Sequence, residues 1–210
     1  MKKGFTLVEL LVVIAILALL MSIVIVTLNP AEILRKTRDT KRVSDLNSLR
    51  TALNLYVTDK ASPDLDYGAT DCAADTFFSL DTCPGTSVSQ SPRVNPICAA
   101  TATSTRLVNG TGWVPVELSS ISSGSPLSAL PVDPTNATSS TPASNLYYTY
   151  ACDSGAVTFE FDAQMESTYY KNGGDGDVVS KDGGDASTLF EVGSDPGLDL
   201  LATPSTNFYQ

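Results

Sequence analysis

The chain contains no histidine. That excludes the commonest general base, any Ser-His-Asp type of triad and every His-ligated metal site. Positive charge is scarce beyond residue 60. Residues 1–60 hold nine Lys/Arg and five Asp/Glu, whereas residues 61–210 hold four Lys/Arg and eighteen Asp/Glu. So acidic a body is unsuited to a phosphate backbone, which demands clustered Lys and Arg. No Gly-rich phosphate loop and no nucleophile motif stands out, so the chain does not read as an enzyme. None of the four cysteines, Cys72, Cys83, Cys98 and Cys152, lies in a C-x-x-C. An even count in a Ser/Thr/Gly-rich body points to two disulfides in an oxidising compartment. Three pairings are open. Cys72–Cys83, closing a short loop, with Cys98–Cys152 is the favoured set, and four buried free thiols are the alternative.

What is present begins at the N-terminus. After Met-Lys-Lys-Gly the chain runs 24 residues, Phe5 to Leu28, with a single charge. As a helix that is about 36 Å, enough to span a bilayer. The run is too long for the apolar core of an ordinary secretory signal, and no small-x-small cleavage site follows it cleanly, so the segment reads as retained. The single charge is Glu9. A carboxylate among apolar neighbours is costly unless paired or protonated, which makes Glu9 a functional candidate. The alternative is that it snorkels to the headgroups about one turn away.

The run Gly4-Phe5-Thr6-Leu7-Val8-Glu9-Leu10-Leu11-Val12-Val13-Ile14-Ala15-Ile16 resembles the signature of type IV prepilins and type II secretion pseudopilins. The resemblance implies that a prepilin peptidase cuts after Gly4 and methylates the new N-terminus at Phe5. It also implies that Glu9 pairs with the Phe5 amine of a neighbouring subunit in a filament. The partners implied are further copies of the chain, the peptidase, the pilus or secretion assembly machinery and the membrane; the acidic body indicates no direct nucleic-acid binding. The implied location is a single-pass inner-membrane protein that becomes an extracellular pilus or a periplasmic pseudopilus. The positive-inside rule runs against this orientation, because Arg35, Lys36, Arg38, Lys41 and Arg42 follow the span on its far side.

Asn29-Pro30 should kink or locally melt the helix, since proline removes a donor and clashes with the preceding turn. From Val43 onward Leu46, Leu49, Leu53, Tyr56 and Val57 recur at helical spacing, predicting an amphipathic stalk whose apolar face packs on the body. Its basic first half suggests ion pairs such as Asp39 with Arg42 and Arg35 with Asp39. Either that band is a solvated face or it meets acidic surfaces of neighbouring subunits. The stretch from Arg35 to Tyr56 also looks like the pilin stalk pattern.

Ser62-Pro63 ends the stalk. Residues 61–144 read as an irregular, disulfide-bearing connection, with a short extended piece at Trp113-Val114-Pro115-Val116. Two strands are expected at 145–152 and 156–163, joined by a hairpin turn at Asp153-Ser154-Gly155. The Leu130-Pro131-Val132-Asp133-Pro134 segment and the Tyr-rich strand after it are similar to major pseudopilins and related pilins. Asp175, Asp177, Asp182 and Asp185, set among glycines, are either a solvated acidic turn or a Ca²⁺ site, as in the comparable loop of major pseudopilins.

The expected organisation is therefore α+β and pilin-like: a leader at 1–4, a membrane and polymerisation helix at 5–28, an amphipathic helix at 29–60, the connection at 61–144, and a small antiparallel sheet with its acidic loop at 145–210. The expected function is that of a structural subunit of a type IV pilus. The alternatives are a major pseudopilin of a type II secretion system and a membrane-tethered module that binds calcium or another ligand.

Overall fold

The computed structural model describes residues 4–67, 72, 75–80, 95–98, 106–137, 146–195 and 197, with backbone alone at 26, 27 and 95–98. The N-terminal third is two consecutive helices, α1 (Leu7–Leu28) and α2 (Pro30–Asp59). They are divided at one residue. Asn29 is left-handed, at φ 39° and ψ 74°, a conformation asparagine tolerates better than most side chains. Its side chain then accepts from the Glu32 N–H, and Pro30 takes the first position of α2, where a missing donor costs nothing. The expected interruption at Asn29-Pro30 is therefore a capped junction of one residue.

The body is a five-stranded sheet of order β2-β1-β3-β4-β5, with β1 (Asp75–Phe78), β2 (Asn95–Cys98), β3 (Tyr148–Asp153), β4 (Thr158–Gln164) and β5 (Leu189–Gly193). Four strands form the expected antiparallel sheet, and β2 adds a parallel edge on β1. The β3–β4 hairpin matches the sequence reading: Tyr150 pairs with Phe161 and Cys152 with Phe159. Its turn is held by Asp153, whose Oδ1 accepts from the N–H groups of Gly155 and Ala156 at 2.7 and 3.0 Å. The connection expected to be irregular holds β1 and β2. Both have four residues, too few to display an alternation, and β2 carries Pro96, which an edge strand accommodates.

Period-two alternation gives the sheet two different faces. The face toward α2 carries Tyr148 and Tyr150 from β3, Phe159 and Phe161 from β4, and Phe190 and Val192 from β5. These meet Leu46, Leu49, Leu53 and Tyr56, the buried side of α2. Trp113 lies between Tyr148 and Phe161, with ring centroids 6.2 and 6.0 Å away, and its indole N–H donates to the Pro131 carbonyl at 2.8 Å. The Trp113–Val116 stretch is a buried connection rather than a strand, and it leads into a 3₁₀ turn at Leu118–Ser120. The opposite face carries Thr149, Glu160, Asp162 and Glu191, all fully buried.

The disulfide pairing differs from the favoured one. Cys72 is bonded to Cys152, with Cα atoms 4.9 Å apart. Cys152 lies on the α2-facing side of β3, so the bond ties the chain ahead of β1 into the core. Proximity in sequence was the wrong guide, because the sheet places β1 beside β3 and brings these distant cysteines together. Cys83 and the side chain of Cys98 lie outside the described residues. The bond spans 80 residues. Closing a loop of that size is worth about 4 kcal/mol in a chain-entropy treatment. The double variant Cys72→Ala/Cys152→Ala is expected to unfold at a clearly lower denaturant concentration than the parent. An unchanged midpoint would contradict the bond's structural role.

Candidate functional site

The features that bear on function lie along the two helices. Phe5 is 77% exposed, and a side-chain carbon added at Gly4 would meet nothing within 4 Å, so the Gly4–Phe5 bond lies in accessible chain. Thr6 caps α1. Its hydroxyl accepts from the Glu9 N–H at 3.3 Å, and the Glu9 carboxylate accepts from the Thr6 N–H and hydroxyl at 2.9 and 2.8 Å. This reciprocal capping box satisfies donors that a helix start otherwise leaves open. Glu9 thus has a local partner within its own chain, about one turn from the Gly4–Phe5 bond.

Every described side chain of α1 is exposed. Leu7–Ile25 has a mean hydropathy of 3.1, long and apolar enough to cross a membrane. A helix apolar on all sides is stable only when lipid or other helices surround it. Nothing on the described body covers it.

The basic half of α2 does the opposite. Arg42 is fully buried and lies among three carboxylates. Its Nε and Nη2 donate to Asp133 at 2.6 and 2.9 Å, while Nη1 reaches Asp39 and Glu166, each at 2.7 Å. Arg38 adds a two-pronged contact to Glu166 at 2.8 and 2.5 Å. Asp39 in turn accepts from the backbone N–H groups of Glu166 and Ser167 at 2.9 and 2.7 Å. Glu32 accepts from the N–H and hydroxyl of Thr168, and the Lys36 ammonium sits 4.3 Å from the Tyr169 ring centre. Arg38 and Arg42 therefore bind their own chain. The Asp39–Arg42 pair forms as expected but buried, and Arg35 pairs with Glu32 instead of Asp39.

The four aspartates of the acidic loop do not converge. Asp177 accepts from the N–H groups of Gly173 and Ser180 and from the Ser180 hydroxyl, and these bonds hold its carboxyl down at about 2. Asp182 accepts from the N–H groups of Gly184 and Glu191. Among the described residues, the acids whose oxygens gather in one place are Glu160, Asp162 and Glu191, all within 4.8 Å of one another. They were not singled out from the sequence, where Phe-Glu-Phe-Asp reads as core alternating with solvent.

A family model described as the prokaryotic N-terminal methylation motif matches residues 1–25. The chain carries the signature of type IV pilins and pseudopilins. No curated protein and no solved structure matches it. The pilin motif and the bare apolar helix together fit a precursor anchored in the inner membrane. Arg42 provides the polar part of the attachment between α2 and the sheet domain.

Removing one partner of a buried ion cluster leaves the rest uncompensated, at a cost of about 3–5 kcal/mol. Arg42→Met is expected to lose that much stability in denaturant titrations, and Arg42→Lys, lacking the planar fork, a large part of it. Glu166 gives the cluster a pH signature. Burial opposes its ionisation, but the Arg38 and Arg42 guanidiniums prevail and hold it below its ordinary value of 4.5. Its contribution is thus complete above that pH and fades as pH falls through the lower folded value. The stability gap between the parent and Glu166→Gln should be present at pH 7 and close under acid. A gap independent of pH would contradict this.

Proposed function

We propose that the chain is the structural subunit of an extracellular type IV pilus, assembled through α1 after cleavage between Gly4 and Phe5. The observation that carries the reading is the methylation motif at the head of a helix that is apolar on every side and bears one carboxylate. In the membrane, lipid covers α1. In a filament, the α1 helices of other copies cover it, so it never meets water along the way. Cleavage creates an amine at Phe5 and removes Lys2 and Lys3, the positive charges ahead of it. Glu9 of one copy then faces the Phe5 amine of another. Paired, each charge offsets the desolvation of the other, and a copy in the wrong register strands both. The pair sets register more than it adds net stability.

The same assembly chemistry serves a pseudopilus confined to a secretion machine, so fibre length and location separate the two. Glu9→Ala is expected to insert and to be cleaved at Gly4 like the parent, while fibres counted by electron microscopy fall at least tenfold. Normal fibres from that variant would overturn the role of Glu9. Long surface fibres from the parent at native expression support the pilus, and their absence alongside assembled periplasmic filaments would replace it with the pseudopilus.

A further inference from the structure

The buried acids on the sheet face opposite α2 have no role in the filament reading. Their positions follow from register. Asp162 of β4 lies directly across from Thr149 of β3 on one side and Glu191 of β5 on the other. Glu160 is two residues along β4, so it shares their face. Three oxygen-bearing side chains thus form a row across three strands, with Glu160 as a fourth beside its centre, and all four are fully buried.

Such groups demand partners, because a buried ion without one costs several kcal/mol. Those partners are missing where they matter most. No backbone, hydroxyl or cationic donor meets either carboxylate oxygen of Asp162, and its close polar neighbour is the Glu160 carboxyl, itself an acid. Oε1 of Glu191 and the Thr149 hydroxyl are likewise buried without a hydrogen-bond partner. Among the described residues, no Lys or Arg forms an ion pair with Asp162 or Glu191. The other oxygen of Glu191 is held by the Ala186 N–H at 2.9 Å, which orients the side chain. Gly184 leaves the room: a carbon added there would come within 2.0 Å of the Glu191 carboxylate. Burial and the neighbouring Glu160, Asp182 and Asp185 push the Glu191 carboxyl up to about 9, and burial beside Glu160 and Glu191 pushes Asp162 well above the carboxylate range.

We propose that Glu160, Asp162 and Glu191 bind a hard divalent cation, Ca²⁺, on the back of the sheet, with the Thr149 hydroxyl as a further oxygen ligand. The donors are all oxygen, and the carboxylate charge demands a metal of high charge. The ligand oxygens lie within 4.8 Å of one another, close enough to share one ion at about 2.4 Å, a Ca²⁺ distance, and a fully buried all-protein site disfavours Mg²⁺, which keeps several of its waters. The cation joins β3, β4 and β5 across their faces, and through Ala186 it secures the acidic loop that precedes β5. This site is separate from the aspartates flanking glycines in that loop, of which Asp177 is saturated by its own turn.

The test uses the full chain in detergent, stripped with a chelator and titrated calorimetrically with Ca²⁺ and with Mg²⁺. One Ca²⁺ per chain is expected, bound at least tenfold more tightly than Mg²⁺. Saturating Ca²⁺ should raise Tm by about 5 °C or more, reversibly on chelation. Asp162→Asn and Glu191→Gln are near-isosteric and remove buried charge. Each should lower Ca²⁺ affinity at least tenfold while leaving the metal-free Tm unchanged or higher. Asp177→Asn should bind Ca²⁺ like the parent. Should both sheet variants fail to fold, Tb³⁺ on the parent replaces them: it should luminesce through Tyr147, which lies on the same sheet face, and Ca²⁺ should quench it by competition. No Ca²⁺ binding at millimolar concentration, dark Tb³⁺, or binding lost in Asp177→Asn and kept in Asp162→Asn would overturn the proposal.

Discussion

Everything in the body is set relative to the stalk by one buried guanidinium. Arg42 holds Asp133 from the segment before β3, Asp39 from its own helix and Glu166 from just beyond β4. Apolar packing of Leu46, Leu49 and Leu53 supplies the bulk of the adhesion, but such packing tolerates sliding and rotation. A fully buried charge cluster does not. Sliding α2 along the sheet would part Arg42 from Asp133 and Glu166, and the cost of the stranded charges would exceed what the apolar contacts recover. Arg42 therefore specifies one docking of helix on sheet.

The two helices divide the work at Asn29. Downstream, α2 spends its charges on its own body. Upstream, α1 keeps its whole surface uncommitted, and its one carboxylate is held locally by Thr6. That local capping is compatible with a second contact, since a carboxylate has four acceptor positions and Thr6 uses one oxygen. A chain built this way carries a docked body and a helix that is stable only among lipids or among other helices.

Much of this was legible in the sequence, because helical periodicity and long apolar runs are local signals. The span, the break at Asn29-Pro30, the amphipathic face of α2 and the β3–β4 hairpin all appear where residue patterns place them. Thr6-x-x-Glu9 is also a capping-box pattern, readable ahead of any apolar run. What could not be read depends on contacts between distant residues. Cys72 and Cys152 meet because β1 pairs with β3, and no spacing rule reveals that. In the sequence Arg42 is one member of a basic band, either solvated or facing neighbouring subunits, and nothing local points to Asp133 and Glu166. Glu160 and Asp162 look like the outer side of a half-buried strand. β5 is five residues long with a charge at its centre, too little for pattern alone.

The central claim is that α1 is covered by the α1 helices of other copies, with Glu9 set against a processed neighbour. A reconstruction of the native fibre by electron cryo-microscopy tests this most directly. The account predicts a core made of α1 helices, the Glu9 carboxylate within hydrogen-bonding distance of the methylated Phe5 amine of an adjacent copy, and a body docked on α2 through Arg42 as described. A fibre held together by body-to-body contacts, with α1 outside the core or Glu9 remote from every neighbouring N-terminus, would contradict it.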